Sequence, residues 1–524
     1  MQKVETRQGE NGPELHFPTP FNVAVPFIDR HVVEGRGKKS AILSFAETVD
    51  YETLAANVNR YGNALLRLGL HPGERMLMVI KDAPEFFYAF WGAVKTGIIP
   101  VPLNTMLTPP DYAFIISDSG AKALVYSEEF RAQVDAALDE GVRPAHLLLA
   151  RHGGGCLHDL AAVESSDLNA IPASADDECF WLYSSGTTGR PKGVIHVHQD
   201  IVATCQLYAV NAQECQESDI FYSIPRLFFA FGLGCAMTFP LWVGGTVVLD
   251  TRRPTPDISA EIFRAFKPTV FAAVPTYLAA LLASSALGCD DLKSLRRCVS
   301  GGEALPEELQ RRWTEIAPVA ITDGVGSTEA LHTYICNRIG QMRANTSGKP
   351  VPGYQVKIID EQGNEVLDDR TGRLWVKGPS VTRRYWNNPE KTAVSIQNGW
   401  LDTGDTYRRD EDGYYYFCGR NDDMLKVGGI WVAPFEIEST LISHPDVLEA
   451  AVVARADDAG LVKPEAWIVL KDPSKQSEAL AEKIRDFCKK EMAPYKYPRW
   501  IHFVEYLPKT ATGKIQRFRL RTTN

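Results

Sequence analysis

Between Tyr183 and Gly193 the chain packs two serines, two threonines, three glycines and a lysine into eleven positions. Glycines let backbone N–H groups come close to an anion, and hydroxyls add further donors. Ser184, Ser185, Gly186, Thr187, Thr188, Gly189 and the charge of Lys192 together suit a phosphate chain, so nucleotide binding is the expected chemistry. The spacing is not that of a P-loop. Five residues after Gly186 stands Pro191, where a second glycine would be required. The apolar segment that follows, Val194-Ile195-His196-Val197, reads as a strand and not as the helix a P-loop demands.

The elements that must position this loop are legible from periodicity. Leu54, Val58, Tyr61, Leu65 and Leu68 recur at helical spacing, and Gly69 and Pro72-Gly73 end that helix. Met76 to Ile80 reads as a buried strand, Pro84 to Lys95 as a helix, and Ile98 to Leu103 as a strand weakened by Pro100 and Pro102. This alternation predicts an α/β unit with a largely parallel sheet, continuing to about residue 340 through Thr269 to Val274 and Arg297 to Ser300. From Gln355 short alternating segments split by glycines, such as Gln355 to Ile359 and Arg373 to Val376, predict a small antiparallel unit. A charged stretch after Gly419 separates off a final hundred or so residues of alternating strands and helices.

Composition narrows the function classes. With 524 residues, 45% apolar and 23% charged, the chain is an ordinary globular protein of several units. A net charge of −9 makes a general nucleic-acid binder a poor reading. Ten scattered cysteines without a CxxC pair give no zinc or thioredoxin motif, and read as buried small hydrophobes of a reducing compartment. Met1 to Phe17 lacks an apolar signal region, so the cytoplasm is the expected location. Phe228 to Leu249 is uncharged and long enough to span a bilayer, but Gly232, Gly234, Pro240, Gly244 and Gly245 predict short broken pieces rather than a membrane helix.

The glycine-rich loop resembles the signature of the acyl-adenylate-forming enzymes, which include acyl-CoA synthetases, peptide-synthetase adenylation domains and beetle luciferases. Four further stretches follow in the order of that family: Gly324 to Glu329, Gly399 to Asp405, Gly419 to Lys426, and Pro508 to Lys514. The resemblance covers nearly the whole chain. It implies a multi-domain α/β fold: a large N-terminal domain, 1–419, of α/β subdomains with a small β-barrel-like unit, and a small mobile α+β domain, 420–524, turning on a hinge at 420–423. It implies ATP, magnesium and coenzyme A as the small molecules used. By this resemblance Lys514 touches the carboxylate and the α-phosphate, and Thr328 hydrogen-bonds that phosphate. Glu329 organises magnesium through water, with phosphate oxygens completing the shell. Asp405, a carboxylate in a glycine turn, holds the ribose with help from Arg420, and Asp323 meets the adenine amino group. Gly301, Gly302 and Glu303 lie beside the nucleotide and the acid. Val325 replaces an aromatic common against the adenine. Asp422 is the hinge. Lys426, Gly428 and Gly429 belong to the face presented for thioester formation, and Tyr495 and Arg499 fall where some members contact the CoA nucleotide.

Phe228 to Gly234 lies where the family builds its acid pocket and carries no carboxylate, which argues against an α-amino acid. Its aromatic and small residues suggest a short, flat, apolar pocket. This stretch, Leu331-His332 and the run Asp422 to Gly429 resemble the benzoate- and hydroxybenzoate-CoA ligases. The resemblance implies a small aromatic acid as substrate, held by Ala230, Phe231, Gly232, Gly301, Gly302, Val325 and His332. Hydroxy- or amino-benzoates, and loading of a carrier protein instead of CoA, are the alternatives. Phe231 stands where relatives often have tyrosine and Arg226 where they often have lysine. His332 has two readings: it faces a ring substituent, or it satisfies the core. No membrane or nucleic-acid partner is expected, and the chain is expected to be a monomer or homodimer.

Overall fold

The computed structural model describes residues 2–10, 12–139, 141–151, 155–184, 190–366, 369–420, 423–427, 430–457, 461–493, 495–509 and 515–521, apart from the side chains of Lys426, Ile430, Trp431 and Phe518. The predicted helix forms over Tyr51–Arg67, started by Asp50, whose side chain accepts from the Thr53 N–H at 2.7 Å. It packs its buried face with the wholly buried helix Pro84–Lys95. Beside them lies a four-stranded parallel sheet in the order Ile99–Pro102, Arg75–Val79, Ala123–Tyr126, His146–Leu149. Pro100 and Pro102 are tolerated because their strand is the sheet's edge, where a missing N–H breaks no ladder on the outer side.

A nine-stranded sheet forms the centre. Its parallel core runs from Ser40–Leu43 through Thr246–Val248, Ile220–Ser223, Val270–Ala273 and Arg297–Gly301 to Ile321–Gly326. Antiparallel strands close both ends. The segment 228–249 splits into short helical pieces, Ala230–Leu233, Gly234–Thr238 and Phe239–Val243, before a strand. No helix among the described residues is long and apolar enough to cross a membrane. The antiparallel unit predicted from Gln355 is a five-stranded sheet in which Trp400–Arg409 pairs with both Gly372–Lys377 and Tyr415–Arg420.

Beyond Arg420 the chain builds cores of its own. Leu425, Val427, Ile437, Val452, Ile468 and Ile484 form one, and Ala451, Val453, Val469, Leu507 and Leu520 another. They surround the strands Val447–Ala456, Val462–Leu470 and Trp500–Phe503. A short terminal helix, Arg517–Arg521, is clamped by charge. Arg517 donates to Glu438 at 2.8 Å and lies 3.6 Å from Asp423, and Arg521 donates to Asp423 at 2.5 Å. Nine of the ten cysteines are buried as expected, whereas Cys289 is exposed on a loop that no core covers.

Candidate functional site

The glycine-rich loop joins two strands, Glu178–Ser184 and Lys192–Val197, that pair antiparallel with Ser184 opposite Lys192. The strand-loop-strand reading therefore holds. Lys192 emerges at the base of this hairpin, half-buried. Burial pushes its ammonium down; the nearby positive charge of Lys391 acts the same way, Glu329 opposes it, and Arg420 adds to the lowering. Three cations thus gather near two carboxylates, Glu329 and the Asp405 that pairs with Arg420. Such a cluster is poorly balanced by the protein and suits a polyanion. Sequence reading named Lys192, Arg420 and Glu329 but not Lys391, which sits in the helix Pro389–Ser395 with no motif to mark it.

Asp405 is not in a turn. It stands within the strand Trp400–Arg409, and strand pairing puts it directly opposite Arg420. Arg420 donates to Asp405 Oδ1 at 2.9 Å. Turn-like bonds survive inside the strand: the Gly404 N–H donates to Asp402 Oδ1 at 3.1 Å and the Asp405 N–H to Thr403 Oγ1 at 3.2 Å. Gly404 has φ +73°, and a Cβ there would lie 3.1 Å from the Arg420 guanidinium, so the position requires glycine. The glycine signal was read correctly, but the strand around it was missed because a local bulge leaves the same trace in sequence as a turn.

Glu329 lies just past the strand Ile321–Gly326. Its Oε1 accepts from the Tyr385 hydroxyl at 3.0 Å. Tyr385 bridges to Val194 in the hairpin after the glycine-rich loop, which ties Glu329 to that loop. Nothing in the sequence singled out Tyr385. Asp323, on the same strand as the second motif, is buried, and burial pushes its carboxyl well above the usual range. Its Oδ1 has no hydrogen-bond partner among the described residues, an acceptor left over in the interior. Gly302 has φ +86°, and Glu303 turns to accept from Thr276 N and Oγ1, at 3.2 and 2.7 Å.

The acid-pocket residues converge in part. Phe231 leads off the short helix Ala230–Leu233, and its ring edge comes to 3.7 Å from where a Cβ on Gly301 would be. His332 packs on Phe231, Tyr208 and Phe239, with ring centroids 5.4, 4.9 and 4.6 Å away. Burial pushes the His332 imidazole down to about 3, so it is neutral at ordinary pH. Its Nδ1 has no hydrogen-bond partner among the described residues. His332 thus packs in the core and backs the ring of Phe231, as the core reading expects. Val325 is half-buried and packs on the main core. Arg226 is anchored away from these rings: it donates to Asp250 O at 2.7 Å and lies 3.4 Å from the buried Asp82, which also accepts from Leu227 N.

Among the remaining expected residues, Arg499 covers the ring of Tyr497 at 3.7 Å, and Lys496 lies 5.8 Å over Tyr495. Ser185, Gly186, Thr187, Thr188, Gly189, Asp422, Gly428, Gly429 and Lys514, with the side chain of Lys426, lie outside the described residues.

The AMP-binding enzyme family matches residues 29–386, and the AMP-binding enzyme C-terminal domain matches residues 436–514. The chain belongs to the AMP-binding enzyme family. Within this family it is 46% identical to the benzoate–CoA ligase of Thauera aromatica, over 97% of each chain. It is 41% identical to the 4-hydroxybenzoate–CoA/benzoate–CoA ligase of Rhodopseudomonas palustris, over 96% of this chain and 94% of that one. Its structure is similar to that of a benzoate CoA ligase from Burkholderia xenovorans, with a TM-score of 0.90 and 41% identity, covering 96% of this chain and 100% of that one. An anthranilate CoA ligase in complex with anthranoyl-AMP gives a TM-score of 0.91 at 41% identity, covering 96% and 97%. The mixed α/β, multi-unit architecture expected from the motifs is that of these structures.

Proposed function

We propose that the protein is an ATP-dependent aryl-acid–CoA ligase with benzoate as its reference substrate. In the first half-reaction a carboxylate oxygen attacks the α-phosphorus of ATP, giving an aryl-adenylate and pyrophosphate. In the second the CoA thiol displaces AMP from the acyl carbon, giving the thioester and releasing a proton. The observation that carries this reading is the run of chain from Asp323 to His332. It passes from an acceptor left over in the interior, through Glu329 beside Lys192, Lys391 and the Asp405–Arg420 pair, to the aromatic recess of Phe231, Gly301 and His332.

Each residue has a task its chemistry suits. Lys192, with the serines, threonines and glycines of its loop, holds the β- and γ-phosphates. Asp323 accepts from the adenine amino group, while Asp405 and Arg420 hold the ribose hydroxyls. Thr328 donates to the α-phosphate, and Lys514 brings a point charge to the carboxylate and that phosphate. The carboxylate of Glu329, oriented by the Tyr385 hydroxyl, would suit a hydrated magnesium ion held through water and phosphate oxygens. Magnesium, when bound, neutralises phosphate charge.

For the second step the unit 420–524 turns about Asp422, withdrawing Lys514 and presenting Lys426, Gly428 and Gly429, with Tyr495 and Arg499 toward the CoA nucleotide. The buried, unbridged thiols support a reducing compartment such as the cytoplasm, where the chain would act as a monomer or homodimer.

Pyrophosphate release across a panel of carboxylic acids, with and without CoA, tests this. Benzoate and simple ring-substituted benzoates should lead, and CoA should sustain turnover. No release with any aryl acid would overturn the reading, and transfer to a phosphopantetheinyl carrier but not to CoA would replace it. Tyr385→Phe is expected to lower the adenylation rate about tenfold or more, the worth of one hydrogen bond to a charged group. Magnesium titration of the initial rate should show a raised half-saturating concentration, and an unchanged titration would remove Tyr385 from the site.

A further inference from the structure

Three consecutive carbonyls of the second motif each accept from a different buried donor. Thr328 O accepts from His196 Nε2 at 2.9 Å, Glu329 O from Thr382 N at 2.7 Å, and Ala330 O from Ser380 Oγ at 2.6 Å. Thr382 Oγ1 also donates to Ile195 O at 2.7 Å, beside His196. The chain then leaves through Leu331 at φ +64°, a left-handed conformation that a leucine adopts only when its surroundings fix it. The motif is therefore held from outside as well as locally, where Leu331 N also donates to Thr328 O at 3.0 Å and Ala330 N to Ser327 Oγ at 3.2 Å.

His196 differs from the other two donors because it can carry its proton on either nitrogen. Its ring is fully buried and stacked on Phe180, with centroids 5.2 Å apart. Nδ1 lies 2.9 Å from Asp200 Oδ2, which also accepts from the Val197 N–H at 3.2 Å. A carbonyl oxygen only accepts, so Nε2 carries hydrogen toward Thr328; a bare Nε2 would set two lone pairs against each other at hydrogen-bond distance. The contact between Nδ1 and Oδ2 then needs a proton of its own, on the ring or on the carboxyl. Either placement gives the pair two protons and no net charge.

Resting on the reading above, we propose that His196 and Asp200 form a doubly protonated, net-neutral positioning pair. It sets Thr328 and Glu329 for adenylation without touching a substrate. Its surroundings favour keeping both protons. Burial pushes the Asp200 carboxyl up, and Cys179 and Tyr354, which face it from neighbouring elements, are raised by burial and stay neutral. Arg383 supplies a positive charge that opposes this rise.

The test combines a spectrum with kinetics on the full chain. With 15N-labelled histidine, the His196 signals are assigned by their loss in His196→Gln. A protonated Nε2 is expected, and an unprotonated one overturns the proposal whether or not the enzyme turns over benzoate. His196→Phe keeps the ring volume and removes both hydrogen bonds. It should lower the adenylation kcat about 100-fold, the cost of misplacing a reacting group by about an ångström. It should also raise the half-saturating magnesium concentration several-fold, leave the benzoate KM within about twofold, and be partly rescued in His196→Gln, which restores an N–H. A folded His196→Phe enzyme with unchanged kcat and magnesium dependence overturns the proposal, as does a parallel rise in benzoate KM without rescue. Should His196→Phe fail to fold, Asp200→Asn decides. Its amide oxygen keeps the Val197 and Nδ1 contacts but withdraws the balancing charge, so Nε2 should lose its proton and the magnesium requirement should rise. A protonated Nε2 in that variant would contradict the pair. A wild-type enzyme that releases no pyrophosphate overturns the functional reading instead, and the spectrum still decides whether Nε2 carries its proton.

Discussion

Lys514→Ala is expected to lower aryl-adenylate formation by about 10²–10³-fold, the usual loss when one preorganised electrostatic contact to developing charge is removed. Thioester formation from supplied aryl-adenylate should keep most of its rate. The asymmetry follows from when the charge is needed. Pentacoordination at the α-phosphorus gathers negative charge in the first half-reaction, whereas the second expels AMP, already a stable anion. Alanine should also leave the surrounding framework in place. On one side of the residue Lys509 bridges to Ile515 and Gln516 N donates to Pro508 O at 2.8 Å. On the other, Arg517 is anchored on Glu438. Pyrophosphate release measures the first step, and CoA-dependent consumption of synthetic benzoyl-adenylate the second. Equal losses in both would refute the two-orientation picture and reduce Lys514 to a structural residue.

Gly232→Ala should be the most damaging single methyl in the acid pocket. A Cβ at Gly232 would lie 2.0 Å from the Arg226 carbonyl oxygen and 2.5 Å from that of Pro225. Both obstacles are backbone, and the turn they belong to cannot retreat. Arg226 is fastened to Asp250 O, and Leu227 N to the buried Asp82. The helix Ala230–Leu233 must move instead, and Phe231 with it. A shift of about an ångström costs on the order of 100-fold in rate. We therefore expect kcat/KM for benzoate to fall by about that factor while the KM for ATP stays near wild type. Saturation curves in each substrate separate the two. Unchanged benzoate kinetics would mean that Phe231 does not set the pocket.

Much of this was readable in advance where local chemistry leaves a local mark. The Ser/Thr/Gly loop, the strand after it, the parallel alternation up to Arg297–Gly301 and the aromatic stretch at Phe228 all follow from neighbours in sequence. The parts that escaped notice depend on partners far away along the chain. His196 reaches Thr328 across 132 positions and Tyr385 reaches Glu329 across 56. Read alone, His196 was one more residue of an apolar run, and Tyr385 an aromatic among arginines. Asp405 shows a different limit. Its glycine neighbour signalled unusual backbone, and only the pairing with Arg420 reveals that the unusual backbone is embedded in a strand.

The clamp between Asp423 and the terminal arginines bears on how such enzymes can be recombined. Arg517 and Arg521 close on an acid that precedes them by nearly the whole C-terminal unit. A hybrid spliced after Asp423 would take the acid from one parent and both arginines from the other, so its compatibility would rest on whether the two parents share the clamp. A splice point ahead of Arg420 carries the acid, Glu438 and both arginines across together, although it parts Arg420 from Asp405. Moving a new terminal segment onto this chain is therefore a choice between inheriting the Asp405–Arg420 pair intact and inheriting an intact latch, unless the donor supplies an arginine opposite Asp405.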